Sequence, residues 1–177
     1  DRYTCGHSRR ASLLTRQLAA PAGLDAAPVA PMPIAGLVHD VGKNGVSEQV
    51  LSKPGDLTDD EYALSREHPR IGWRSPRDIP RFDDILAGGL HPHERWDGRG
   101  YPDGLAGQNI PLVGRLIALA DAYDAMCSTR TYRAAMSRDA VLKELAAGAG
   151  RQFDPDLVPL FLDLDFTGYE RMVDGHY

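Results

Sequence analysis

Cysteine is scarce in this chain of 177 residues and occurs only at Cys5 and Cys127. Two cysteines without C-x-x-C spacing match neither a disulfide-stabilised secreted domain nor a cysteine-based zinc site. A reducing compartment suits such a sequence, and we expect the protein to be cytoplasmic. Apolar runs of roughly 18 residues or more, which a transmembrane helix requires, are also missing. The sequence therefore predicts no membrane span within this chain.

Positive charge is in deficit as well. Lysine and arginine total 20 against 25 aspartates and glutamates, which gives a formal net charge of −5. Non-specific binding to a nucleic acid polymer requires a basic surface, so this balance argues against that class of function. An anionic substrate would instead need a local group of cations or bound metal ions.

Long runs of alternating polar and apolar residues, the pattern of a β-strand, are absent too. Helical periodicity dominates instead, in a composition of 42% hydrophobic and 25% charged residues that is typical of a globular protein. We therefore predict one all-α domain spanning residues 1–177. Because the chain begins without methionine, we expect it to be part of a longer protein.

Apolar stripes and capping residues predict where the helices lie. Residues 8–19 place Ala11, Leu14 and Leu18 on one face, and residues 112–128 form the longest apolar helix. Shorter helices are predicted over residues 34–43, which would end at Gly42, over 58–67, 82–91 and 138–147, and from Asp154-Pro155 onward as the last helix. The glycine-rich and proline-rich residues 97–111 are predicted to form a long structured loop.

Acidic residues inside apolar helices are the strongest indication of function. His39-Asp40 lies in one apolar run, and Asp121 and Asp124 lie in the longest one. Burying a carboxylate is costly unless it is paired or binds a metal. A metal site shared by these acids and several histidines would explain all of them. The simpler alternatives are a hydrogen-bonded His-Asp pair in the core, and an Asp121 that caps a helix or pairs with an arginine such as Arg115.

Eight short motifs follow one another along almost the whole chain. They are YTCGHS (3–8), HDVGK (39–43), LSKPG (51–55), HP (68–69), HERWDGRGYP (93–102), ADAYDA (120–125), RTYR (130–133) and FDP (153–155). In this order they resemble the HD-GYP family. The combination is specific, whereas the HDVGK motif alone would indicate only the wider HD phosphohydrolase superfamily.

The resemblance implies a helical HD-domain bundle with a long loop that carries the Gly-Tyr-Pro motif. It implies a phosphodiesterase that opens cyclic di-GMP to linear pGpG, with GMP as a further product, through attack of a metal-bridging hydroxide. It also implies an upstream sensory or receiver domain and a signalling partner domain that contacts the Gly-Tyr-Pro loop. Two alternatives are a degenerate module that binds cyclic di-GMP or a partner without turnover, and a hydrolase that acts on another nucleotide.

Site residues follow from the resemblance by motif position. The metal ligands it implies are His7, His39, Asp40, His68, His93 and Asp121. Asp40 would bridge two divalent ions and, with Lys43, act directly in catalysis. The substrate-binding residues it implies are Lys43, Tyr101, Arg130 and Arg133. Imidazoles and carboxylates suit iron, manganese or zinc rather than calcium, and the resemblance favours iron or manganese.

Two positions depart from the family pattern. Pro92 replaces the first of two adjacent histidines that normally precede Glu94, which leaves His91 as an alternative, displaced ligand. Tyr3 occupies the position where trinuclear members carry a glutamate. Both departures favour two metal ions at most. Glu94 and Asp97 are predicted to order the loop rather than to bind metal.

Overall fold

The computed structural model describes residues 2–24, 40–51, 53, 55–74, 89–128 and 134–175. Its α-helices are α1 (Arg2–Ala19), α2 (Glu48–Leu51), α3 (Asp59–Ser65), α4 (His68–Arg74), α5 (Leu112–Cys127), α6 (Arg138–Ala147), α7 (Leu157–Leu162) and α8 (Thr167–Val173). Two 3₁₀ helices span Val41–Gly45 and Gly107–Asn109. Within the described residues the only β-type pairing is an isolated bridge between Ala149 and Phe153. The prediction of an all-α fold is confirmed.

Helices α1 and α5 form the centre of the core. Ala11, Leu14 and Leu18 of α1 are fully buried, as their spacing predicts, and they share a core with Leu116 and Leu119 of α5. Burying each leucine contributes about 1.5–3 kcal/mol. The packing therefore holds α1 and α5, which carry His7 and the acids of the longest helix, in one arrangement.

Aromatic side chains of the C-terminal segment pack against Tyr123 of α5 in the same core. The ring of Tyr123 lies 5.5 Å from that of Phe161, 4.8 Å from that of Phe166 and 5.1 Å from that of Tyr169, measured between centroids. Such aromatic pairs add to the free energy of burial. Helix α8 is thereby tied to the middle of α5.

Capping residues account for the helix starts that sequence reasoning predicted well. Thr58 accepts from the backbone N–H of Glu61, whose carboxylate accepts from the N–H of Thr58, so the pair forms a capping box at the start of α3. Ser137 accepts from the N–H of Ala140 and begins α6. The segment 97–111 is a loop as predicted, apart from the 3₁₀ turn at Gly107–Asn109.

Gly42 does not end an α-helix, which corrects one prediction. The described part of that segment, Val41–Gly45, is a 3₁₀ helix that continues past Gly42, while residues 34–39 lie outside the described residues. A Cβ on Gly42 would overlap the carbonyl oxygen of His68 and the amide nitrogen of Gly72. Glycine at this position therefore allows the 3₁₀ helix to pack closely on α4.

A second correction concerns the C-terminal helices. Asp154-Pro155 does not begin a helix, because α7 begins at Leu157 with Asp156 as its N-cap, and α8 follows it. The carboxylate of Asp154 accepts from the N–H of Asp156 at 2.9 Å and from Arg115 at 2.6 Å. These contacts hold the segment as a turn.

One further predicted helix, 82–91, lies mostly outside the described residues: residues 89 and 90 are helical, and His91 is not. In the part of the chain that the structure describes, none of the helices is both long enough and apolar enough to cross a membrane.

Candidate metal centre

Asp40 lies between histidines that come from different helices. It directly precedes the 3₁₀ helix Val41–Gly45, and only 5% of its surface is exposed. Its Oδ2 lies 3.7 Å from Nε2 of His7 on α1, and its Oδ1 lies 3.7 Å from Nε2 of His68 on α4. The two carboxylate oxygens thus face different imidazoles, which is the arrangement that a ligand shared by two metal ions requires.

His68 and His93 face each other beside Asp40. Their Nε2 atoms lie 3.0 Å apart, and one ligand atom from each of these three residues lies within 4.8 Å of the others. Nδ1 of His68 lies 2.7 Å from the carbonyl oxygen of Ser65. Because a carbonyl only accepts hydrogen bonds, Nδ1 of His68 carries a proton, and Nε2 is the ring nitrogen that faces the cluster. A hydrogen bond from Nδ1 to a backbone carbonyl is the usual way in which a histidine that binds metal through Nε2 is oriented.

His7 lies between two carboxylates of α5. Its Nε2 lies 2.9 Å from Oδ1 of Asp121, and its Nδ1 donates to Oδ2 of Asp124 at 2.6 Å. Burial lowers the pKa of His7, but the hydrogen bonds and charges of these two acids outweigh burial and raise it to about 9. A metal ion at Nε2 would take the place of that proton.

Asp124 lies behind His7, away from the other converging acids. Sequence reasoning grouped it with Asp121 at a shared metal site, whereas the structure places it, fully buried, against Arg10 and Tyr169. Burial raises its pKa, but hydrogen bonds from His7 and Arg10 lower the pKa by more, so the carboxylate is ionised. Asp124 therefore holds the ring of His7 through Nδ1, the usual role of a carboxylate behind a metal-binding histidine.

Lys43 reaches the same cluster, as the family resemblance implies. Its Nζ lies 2.6 Å from Oδ2 of Asp40, and 40% of its side chain is exposed. The ammonium group therefore lies between the buried carboxylate and solvent, where an anionic ligand could reach it.

Tyr101 covers the cluster from the long loop. Its ring stacks on that of His93 with centroids 5.1 Å apart and planes inclined by 21°. The guanidinium carbon of Arg66 lies 4.9 Å from the centroid of Tyr101. Burial, followed by the electrostatic effects of Tyr62, Asp121 and Asp40, raises the pKa of Tyr101. Its hydroxyl therefore stays protonated at neutral pH and is able to donate a hydrogen bond.

Glu94 orders this loop, as predicted. Its buried carboxylate accepts from the backbone N–H groups of Asp103 at 2.7 Å and Leu105 at 3.0 Å. Asp97 pairs with Arg95 at 2.8 Å, which lowers the pKa of Asp97 to about 2. Both carboxylates therefore stabilise the conformation of the loop.

His91 faces a different part of the loop from His93. Its Nε2 lies 2.9 Å from Oδ2 of Asp103, and it forms a separate group with Glu94 and Asp103. Pro92 is buried between the two histidines. The histidine cluster around Asp40 is therefore built with His93, while His91 supports the loop.

The model of a protein family described as "HD domain" matches residues 2–157. The chain belongs to the HD domain family. A "Cyclic di-GMP phosphodiesterase" of Vibrio cholerae serotype O1 is 46% identical over 135 residues, which cover 72% of this chain and 27% of the relative. The "Cyclic di-GMP phosphodiesterase response regulator RpfG" of Xanthomonas campestris pv. campestris is 42% identical over 159 residues, which cover 88% and 40%. The chain thus spans less than half the length of either relative. The family model and these relatives together confirm the resemblance to the HD-GYP family.

A solved structure shows the same HD-domain fold. The crystal structure of a cyclic GMP-AMP-specific phosphodiesterase of V. cholerae superposes with a TM-score of 0.71 over 96% of this chain and 45% of the other, at 19% identity. At this identity the likeness shows the fold alone.

The donor atoms of this HD domain suit a divalent transition metal. They comprise the Nε2 atoms of His7, His68 and His93 and the carboxylates of Asp40 and Asp121, and nitrogen and carboxylate donors together suit iron, manganese or zinc. The carbonyl of Ser65 holds Nδ1 of His68, so that Nε2 faces the cluster. The residues present therefore fit metal binding.

Three implied site residues, His39, Arg130 and Arg133, lie outside the described residues of the HD domain, as does the side chain of Tyr3. Their roles stay predictions. Sequence reasoning also missed two residues of the site that the structure describes, Arg10 and Tyr169. Arg10 follows His7 by three positions on α1, so helical spacing could have found it. No local pattern marks Tyr169.

Proposed function

We propose that this HD domain hydrolyses cyclic di-GMP to linear pGpG, with GMP as a further product, using bound divalent metal ions. The observation that carries the proposal is the convergence of three imidazoles on the two oxygens of Asp40. The names of the two curated relatives support the choice of substrate. Bound metals would activate water as a nucleophile and neutralise charge on the phosphate.

We assign the metal ligands to two sides of Asp40. His7 and Asp121 lie on the side of Oδ2, and His68 and His93 lie on the side of Oδ1. His39 completes the set by its motif position. This division supports two ions, and the resemblance to HD-GYP proteins supports iron or manganese.

The chain's own groups would bind and orient the substrate. A cleft lined by His93, Tyr101 and Asp121 opens beside the cluster. The half-exposed ammonium group of Lys43, beside Asp40, can contact a phosphate oxygen. The protonated hydroxyl of Tyr101 can donate to the substrate. Arg130 and Arg133 would bind the remaining phosphate and a guanine base, for which the planar guanidinium group is suited.

The same proposal includes a cytoplasmic location and a signalling partner at the Gly-Tyr-Pro loop. The scarcity of cysteine supports the location. Exposed residues at the loop tip, Asp103 and Gly104, support the contact. An upstream sensory or receiver domain stays a prediction.

Turnover by anaerobically purified protein tests the proposal. Protein loaded with iron or manganese should convert cyclic di-GMP to pGpG, measured by chromatography, and competition with cyclic GMP-AMP and linear nucleotides tests the substrate. Asp40→Asn should lose at least about 100-fold in rate because it removes a charged oxygen from the metal centre. Asp139→Asn, the same change at an exposed position of α6, is the matched control. Absence of turnover by fully metallated wild-type protein would refute the proposal.

A second candidate function, binding of the nucleotide or a partner without turnover, is favoured by Pro92. This residue removes one imidazole from the family pattern, and His91 is held by Asp103. Calorimetry that detects binding of cyclic di-GMP, together with less than one metal ion per chain and no turnover, would favour this candidate over the first.

A further inference from the structure

Tyr169 connects the last described helix to the histidine cluster. It lies on α8, beyond residues 2–157 that match the HD domain family. Its hydroxyl donates to Oδ1 of Asp124 at 2.8 Å, and Nδ1 of His7 donates to Oδ2 of the same carboxylate at 2.6 Å. Two hydrogen bonds in series therefore join α8 to His7.

The carboxylate of Asp124 is held by several donors at once. Arg10 donates through Nε to Oδ1 at 2.5 Å and through a terminal nitrogen to Oδ2 at 3.0 Å. The hydroxyl of Ser128 also lies near this carboxylate, with its Oγ 3.4 Å from Oδ2. A carboxylate has about four lone-pair positions, so these donors together define its rotation. Tyr169 is the donor that approaches from α8.

The rotation of Asp124 determines the direction of the His7 ring. Because Nδ1 of His7 is bound to Oδ2, any turn of the carboxylate moves the opposite ring nitrogen, Nε2. That nitrogen lies 2.9 Å from Asp121 and 3.7 Å from Asp40. A small rotation would therefore change the position of a donor atom relative to both acids.

We propose that Tyr169 is a positioning residue for the metal centre. It fixes the carboxylate of Asp124, which fixes His7 so that Nε2 faces Asp40 and Asp121. This inference rests on the proposed metal site. The direct hydrogen-bond partner of a metal-binding histidine, here Asp124, commonly changes metal affinity by about 10–100-fold. Tyr169 lies one hydrogen bond further from His7, so its contribution is expected at or below the lower end of that range.

Cobalt titration of two tyrosine variants tests the inference. Tyr169→Phe removes only the hydroxyl that binds Asp124. Tyr123→Phe is the matched control, because Tyr123 lies in the same aromatic cluster with 1% exposure against 3% for Tyr169, and its hydroxyl pairs with Cys127. The full chain is titrated with Co²⁺, and visible absorption reports both the affinity and the geometry of the bound ion.

Tyr169→Phe should bind Co²⁺ more weakly, by up to about 10-fold, and with a changed absorption spectrum, while Tyr123→Phe should match the wild type in both. Equal affinity and an unchanged spectrum in Tyr169→Phe would overturn the inference. Equal weakening in both variants would also overturn it, because a general loosening of the core would then explain the result. A wild-type protein that binds no cobalt would instead contradict the proposed metal centre itself.

Discussion

Replacing Glu94 with glutamine should loosen the loop that carries Tyr101. Glu94 is 3% exposed, and its two carboxylate oxygens accept from two backbone N–H groups, those of Asp103 at 2.7 Å and Leu105 at 3.0 Å. The amide of Glu94→Gln keeps one oxygen and turns an NH₂ group toward the second N–H. One hydrogen bond to a charged acceptor, worth about 1.5–3 kcal/mol, is thereby lost.

Hydrogen exchange at single amides measures this effect directly. A loss of about 2 kcal/mol corresponds to roughly 30-fold in the equilibrium between closed and open loop. The amides of Asp103 and Leu105 should therefore exchange roughly 30-fold faster in Glu94→Gln. Because Tyr101 lies just before these residues, its stacking on His93 should weaken, and the KM for cyclic di-GMP should rise.

Glu144→Gln is the control, since it makes the same chemical change at an exposed position of α6. It should leave the exchange of both loop amides and the KM unchanged. If Glu94→Gln folds and both amides exchange at the wild-type rate, the reasoning about the carboxylate is wrong.

Three other changes probe different parts of the structure. In metal-free protein, His7 has a pKa raised from 6.5 to about 9. The stability that its positive charge contributes is therefore fully present below about pH 6.5 and is lost as the pH rises through about 9. Urea unfolding at a series of pH values measures this loss. Arg115→Ala should lower the free energy of unfolding by about 3–5 kcal/mol, because it leaves the buried carboxylate of Asp154 without its ion pair. Gly42→Ala should cost about 1–3 kcal/mol by overpacking and should weaken Co²⁺ binding, whereas Gly89→Ala, with open space around its Cα, should not.

Controls separate these effects from general destabilisation. His7→Gln should remove the fall in stability between pH 6.5 and about 9, and a fall of the same size in that variant would contradict the assignment to His7. Arg138→Ala breaks an exposed pair with Glu170 and should cost only about 0–1 kcal/mol. If Arg115→Ala lowered the free energy of unfolding by no more than Arg138→Ala, burial of the Asp154 carboxylate would not increase the contribution of its ion pair. Unchanged stability in Gly42→Ala would contradict the close packing.

Local interactions explain which parts of the fold could be predicted from the sequence. The Thr58–Glu61 capping box acts within one helical turn, so its sequence spacing is sufficient to identify it. The start of α7 was predicted wrongly because Asp154 pairs with Arg115, a residue 39 positions away. No local rule reports such a partner.

The same distinction applies to the site. Asp40 and Asp121 stand out in sequence because each interrupts an apolar run, and the structure brings both to His7. The role of Asp124 could not be predicted in this way, because its partner Tyr169 lies 45 positions away on another helix. A sequence motif identifies an acidic residue within an apolar helix, whereas tertiary packing determines which side chains that residue contacts.

The hydrogen bond between His7 and Asp124 spans 117 positions of the chain. At a synthesis rate of 5–20 residues per second, Asp124 emerges roughly 6–23 s after His7. During most of that interval His7 is present without its two carboxylate partners on α5, Asp121 and Asp124. The ligand set is therefore complete only once α5 has been made, and a chain that stalls before α5 carries Asp40 and the histidines but lacks Asp121 and Asp124.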